Sequence, residues 1–151
     1  MSLALKEAEK AFLKGEVPIG VVIVKDGKII SKAHNTRRKS KNAVNHAEII
    51  AIQKACKRLK DWRLENAEIY VTLEPCPMCA GAIANARIRE CYFGAFDKSS
   101  ETDFLKLIFQ DKRLNHKVIY RGGIMEEECS KLLTSFFKEK RKTLKNSLHQ
   151  V

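Results

Sequence analysis

The chain has 151 residues, 44% of them hydrophobic, which suits one compact domain whose core needs no covalent staples. Lysine and arginine number 29 against 18 acidic residues, a formal net charge of +11, and such an excess points to a polyanionic partner because phosphate contacts dominate nucleic-acid affinity. No apolar run approaches the roughly 18 residues of a membrane span, and "MSLALKEAEK" interrupts its apolar residues with charge, so neither a transmembrane segment nor a secretory signal is expected.

Leu3, Leu5, Ala8, Phe12 and Leu13 predict a helix over 3–14, ended by Gly15 and followed by Pro18. "IGVVIV" (19–24) reads as a strand, Asp26-Gly27 as a hairpin tip, and "IISKAH" (29–34) as the returning strand. A polar, basic loop is expected from Asn35 to Asn45. Ile49, Ile52, Cys56 and Leu59 recur at helical spacing and predict a helix over 46–60. Residues 67–73 read as a strand, 76–86 as a small-residue helix that starts on two cysteines, and 90–96 as a further strand. A short helix over 103–109 and a last strand over 117–121 follow. A long amphipathic helix over 125–146 is expected to bury Cys129, Leu132, Leu133, Phe136 and Phe137. A hairpin followed by strands alternating with helices predicts an α/β layered domain with a mixed sheet. Two cationic clusters stand out: four positive residues in 36–41 and five in 138–145.

The five cysteines, Cys56, Cys76, Cys79, Cys91 and Cys129, are odd in number and include one close pair. That usage suits a reducing, cytoplasmic setting rather than a disulfide framework. Cys76 and Cys79 sit three apart at a predicted helix start, where they share a face and where the helix terminus favours thiolate. His46 starts another helix, and two thiolates with one imidazole suit zinc. Three protein ligands leave a position for water, the arrangement of catalytic rather than structural zinc. His34, His116, Cys56, Cys91 and Cys129 are each candidates for a fourth ligand, but the three cysteines read as core and the histidines as structural or surface residues. Glu48, two residues after His46, can share such a site only end-on at the helix tip. There it would relay protons between an activated water and a substrate nitrogen. A helix-start acid favoured by the dipole is the plainer reading of Glu48. A thioredoxin-like redox pair is the rival for the cysteines, and it leaves His46-Ala47-Glu48 idle.

His46-x-Glu48, a gap of 26 residues, then Pro75-Cys76-x-x-Cys79 is the signature of the zinc-dependent cytidine and nucleobase deaminases. Within that superfamily the sequence resembles the bacterial tRNA-specific adenosine deaminases across nearly the whole chain. The matching stretches are 15–24, 34–37, 45–52, 61–83, 92–97, 114–116 and 135–141. The resemblance implies a three-layer α/β/α domain with a central mixed sheet of about five strands. It implies one zinc ion per chain held by His46, Cys76 and Cys79, with Glu48 as proton shuttle. Asn35 would hydrogen-bond the flipped nucleotide; Val17, Ile19, Ala47 and Leu73 would line or flank the base; Asp97 would contact the neighbouring sugar-phosphate. Arg37 and Arg38 in the basic loop, with Phe137, Lys140 and Arg141 in the C-terminal helix, would touch the RNA. The activity implied is hydrolysis of adenosine to inosine at the wobble position of a tRNA anticodon, by a cytoplasmic homodimer. The alternatives are a deaminase of a free base or nucleoside, and a non-catalytic zinc domain that binds RNA. After "GAFD" the sequence runs "KSSETDFLK", without the glycine common in the family, and Phe96 stands where a basic residue is frequent.

Overall fold

The fold, taken from a computed structural model, is described for residues 1–99 and 103–148. Helix α1 (Ser2–Leu13) ends at Gly15, whose φ of +71° is the left-handed turn that glycine adopts without strain. Strands β1 (Gly20–Lys25) and β2 (Lys28–His34) form the expected hairpin. Asp26 and Gly27 both have positive φ, the geometry of a type I′ turn that matches strand twist. Helix α2 (Arg37–Ser40) comes next, then α3 (Ala47–Leu59), β3 (Ala67–Leu73) and α4 (Pro77–Asn85). The chain continues through β4 (Glu90–Ala95), α5 (Phe104–Phe109), β5 (Ile119–Arg121) and α6 (Glu126–Leu148).

Among the described residues the strands form one five-stranded sheet in the order β2-β1-β3-β4-β5. Strand β1 is antiparallel to β2 and β3, whereas β3-β4 and β4-β5 are parallel, so the sheet is mixed. Helices α3, α4 and α5 cover one face and α1 and α6 the other, completing three layers. The core between sheet and α3/α4 includes Val21, Ile23, Ile69, Val71, Ile83, Ile88 and Phe93. Glycines let the opposite helices approach closely. A Cβ on Gly20 would lie 1.9 Å from the Ala4 carbonyl oxygen, and one on Gly94 would lie 2.3 Å from Cys129 Sγ.

Three expectations change. The loop between Asn35 and Asn45 contains the one-turn helix α2, held by a carboxylate from outside the segment. The fully buried face of α3 is Ala47, Ala51 and Ala55, while Ile52, Cys56 and Leu59 are only partly buried. Small side chains bring α3 close enough for Ser31 Oγ to donate to the Ala51 carbonyl at 2.8 Å. On α6, Cys129 and Phe136 are buried, but Phe137 is 46% exposed rather than inside.

The topology also sets the position of the loops. Because β1 is antiparallel to both β2 and β3, the strands β2, β3 and β4 all point the same way. Asn35, the Glu74–Cys76 segment and Phe96–Asp97 therefore leave the sheet at one end, the carboxyl end where open α/β sheets place their ligands.

Candidate active site and metal centre

Two helix starts meet at that end. His46 is the N-cap of α3 and Cys76 the N-cap of α4, with Pro77 at the first helical position. Cys79 lies one turn into α4 and is fully buried. The His46 Nδ1 atom stands 3.7 Å from Cys76 Sγ and 3.6 Å from Cys79 Sγ. Zinc bonds of about 2.3 Å to sulfur and about 2.0 Å to nitrogen give an N···S separation of about 3.5 Å at a tetrahedral angle. The three side chains thus fit a zinc ion. They form the metal-capable cluster found among the described residues, and none of the other candidates joins it. His116 Nε2 donates to the Ile88 carbonyl, 2.7 Å away, His34 is bonded to Glu7 and Lys14, and Cys91 and Cys129 are buried elsewhere. Cys56 is half-buried beside the Trp62 carbonyl. His149 lies outside the described residues.

The electrostatics suit this donor set. The hydrogen bond from the Cys79 thiol, against the effect of burial and with the His46 ring alongside, pulls Cys76 down to about 5. The same bond together with burial pushes Cys79 up. Glu48, two residues after His46 at the tip of α3, is 3% exposed, and burial pushes its carboxyl up to about 7. Its Oε2 is fully buried without a hydrogen-bond partner, an arrangement that costs free energy unless a guest completes it. Glu48 is thus an acid in the first turn of α3, as the plainer reading has it, but a buried one.

Asn35 joins the cluster to a cavity. Its side chain accepts from the Ala47 N–H at 2.8 Å in a buried bond. The acceptor must be the amide oxygen, which leaves Nδ2 as the donor end of the side chain. A cavity of about 350 Å³ is lined by Gly15, Glu16, Val17, Asn35, Arg37, Arg38, Phe136, Phe137 and Lys140. Six of the predicted contacts, Val17, Asn35, Arg37, Arg38, Phe137 and Lys140, thus meet there, and the Lys140 ammonium sits 5.5 Å from the Phe136 ring centroid. Arg141 is exposed on the next position of α6. Ile19 and Leu73 are half-buried and Ala47 buried, and none of them lines this cavity. Asp97 is engaged in a local turn, accepting from Ser99 N and Oγ at 2.9 and 2.7 Å, while its own N–H donates to Glu74. Residues 100–102 of the atypical loop lie outside the described residues. Glu16 and Phe136 line the cavity although neither is expected there from the sequence. Nothing local distinguishes a buried acid after Gly15 from a surface one, or the inner member of a Phe-Phe pair from the outer.

Comparison with known proteins gives the class first. The family model of the MafB19-like deaminases matches residues 1–141. The tRNA-specific adenosine deaminase of Bacillus subtilis is 50% identical over 96% of this chain and 91% of its own length. A solved structure from a study of A-to-I editing by tRNA:A34 deaminases at the wobble position of transfer RNA is 42% identical. It covers 88% of this chain and 97% of that one, with a TM-score of 0.82. The chain belongs to this deaminase family, among the tRNA-specific adenosine deaminases. A guanine deaminase from Nitrosomonas europaea shares the fold at 16% identity, over 89% of this chain and 81% of that one, with a TM-score of 0.79. The fold alone therefore does not choose the base.

Proposed function

We propose that the protein hydrolyses adenosine to inosine at the wobble position of a tRNA anticodon, releasing ammonia. The observation that carries the deamination chemistry is the buried, unpartnered Glu48 Oε2 beside the His46, Cys76 and Cys79 cluster, and the choice of tRNA adenosine is supported by the 50% identity to a tRNA-specific adenosine deaminase. One zinc ion per chain would be held by those three side chains, and its chemistry there is Lewis-acid activation of the attacking water. Glu48 would take one proton from the attacking water and deliver it to purine N1 as the oxygen bonds to C6, then pass that oxygen's second proton to the amino group, which leaves as ammonia when the C6–N bond breaks. Burial helps this role, because a carboxyl near 7 exchanges protons readily at neutral pH. Asn35 donates from Nδ2 to the nucleotide, with Val17, Ile19, Ala47 and Leu73 as its apolar surroundings and Asp97 near the adjoining sugar.

The RNA part of the proposal is supported by the cationic lining of the cavity. Arg37, Arg38 and Lys140 would contact phosphates, Phe137 offers an exposed ring for a base to stack on, and Arg141 extends the charge along α6. A base is unreachable inside a stack, so a loop whose bases can be splayed out, such as an anticodon stem-loop, is the fitting form of substrate. A cytoplasmic homodimer is part of the same proposal; no helix of the described residues is long and apolar enough to cross a membrane.

The test compares inosine formation on an anticodon stem-loop with ammonia release from free adenosine, cytidine and guanine. Turnover on the stem-loop far above that on the small molecules is the expected result. Ammonia from a free base with no inosine in the RNA overturns the reading.

A further inference from the structure

We infer that Glu16 is a positioning residue for RNA recognition, holding the one-turn helix α2 and its cations against the cavity. The inference rests on the function proposed above. A carboxylate in the wall of a phosphate-binding cavity works against binding, so its presence among Arg37, Arg38 and Lys140 calls for a reason. Glu16 is 3% exposed, and each of its oxygens accepts a backbone N–H: Arg38 N at 3.2 Å and Lys39 N at 2.8 Å. Both donors belong to α2, whose N-cap residue, Thr36, makes no side-chain cap bond.

A four-residue helix cannot sustain itself, because one turn does not repay the cost of nucleation. Its first N–H groups also lack partners within the helix. Glu16 supplies two of those partners from across the cavity, and Arg38 Nη1 makes a longer return contact of 3.5 Å to the Gly15 carbonyl. Glu16 is itself anchored. Its N–H donates to the Ala11 carbonyl at 3.0 Å, so the left-handed turn at Gly15 hands the end of α1 directly to this carboxylate. The Asn35 N–H donates to the Ile19 carbonyl at 3.2 Å and ties the same two segments together closer to the metal ligands. The chain of support therefore runs from α1 through Glu16 to α2, and sets Arg37 and Arg38 on the cavity before any RNA arrives. Without it those cations would sit on a loop tied mainly by bonds within 36–45, such as Thr36 N–H to the Asn45 carbonyl and Asn45 Nδ2 to Ser40 Oγ, and fixing that loop on the cavity would draw on the binding energy.

The test uses the zinc-loaded full chain and a fluorescein-labelled anticodon stem-loop, with affinity read by anisotropy across a salt series and the active fraction set by stoichiometric titration. Glu16→Ala is expected to bind about tenfold more weakly, with the slope of log K against log salt shallower by about 0.7 for each phosphate no longer neutralised. Glu16→Gln keeps one carbonyl acceptor and is expected to recover about a third of wild-type affinity. Poor folding lowers the active fraction and leaves the slope of the folded molecules alone, so a purely structural role is told apart. Wild-type affinity and slope in Glu16→Ala, an unchanged slope at weaker affinity, or a Gln variant no better than Ala overturns the inference alone. A wild-type chain that does not bind the stem-loop overturns the proposed function and the inference with it.

Discussion

In the proposed mechanism His46, Cys76 and Cys79 hold a metal and Glu48 moves protons, a division that the placement of their atoms supports. Two sulfurs and one ring nitrogen converge at 3.6–3.7 Å, while the Glu48 Oε2 stays uncommitted. Glu48→Ala is therefore expected to retain about one zinc per chain yet lose at least about 10²-fold in turnover, the usual worth of a placed general acid-base. Cys79→Ala is expected to lose the metal itself. Metal analysis beside single-turnover kinetics separates the two, and zinc loss from Glu48→Ala would contradict the assignment. The cluster was legible in the sequence because His46 and Cys76 cap helices and Cys79 lies in the first turn of one, where spacing along the chain translates directly into direction in space. Glu16 was not legible, because its partners lie 22 and 23 residues away.

Helices and strands show the same contrast between local and remote causes. The Asp26-Gly27 turn, the glycine stop of α1 and the proline-led start of α4 are local chemistry, and they fall where propensity puts them. Helix α2 depends on a distant carboxylate, so its residues read as loop. The burial of α3 through alanine rather than isoleucine, and the exposure of Phe137, come from how closely a helix approaches its neighbour, which periodicity does not encode. Gly94 records such an approach between β4 and α6. A Cβ there meets Cys129 Sγ at 2.3 Å, Cys129 Cβ at 2.8 Å and the Thr72 carbonyl oxygen at 2.9 Å. Gly94→Ala is expected to cost about 1–3 kcal/mol by overpacking, read from the urea midpoint. The double variant with Cys129→Ala should regain only part of it, since the carbonyl contact remains. Full recovery would place the strain in the sulfur alone.

At the scale of the whole molecule, stability depends on contacts that join layers, and one of them is titratable. Glu7 on α1 is 6% exposed and accepts from Lys10 Nζ at 2.7 Å and His34 Nδ1 at 3.0 Å, the latter across to the end of β2. Burial raises its pKa, but the hydrogen bonds and charges of Lys10 and His34 outweigh that, and the net shift is downward. A carboxyl lowered by folding contributes stability that is present above its unfolded pKa, about 4.3, and is lost as pH falls through the lower folded value. Glu7→Gln is thus expected to cost about 2 kcal/mol at pH 7 and progressively less as the wild type is acidified below pH ~4. Denaturant melts at several pH values check it, and a cost independent of pH would remove the charge from the account. The sequence by itself determined which groups are available: two thiols and an imidazole that could hold a metal, an acid two residues from that imidazole, a net charge of +11 and an α/β alternation, all readable because motifs and periodicities act over a few residues. Only the tertiary structure decided the sheet order, which sends β2, β3 and β4 to one end. It also decided the cavity that draws Val17, Asn35, Arg38 and Lys140 together from separate elements. The physical reason is that strand pairing, close helix approach and a carboxylate bonded across a gap are properties of distance in space, which the order of residues along a chain does not carry.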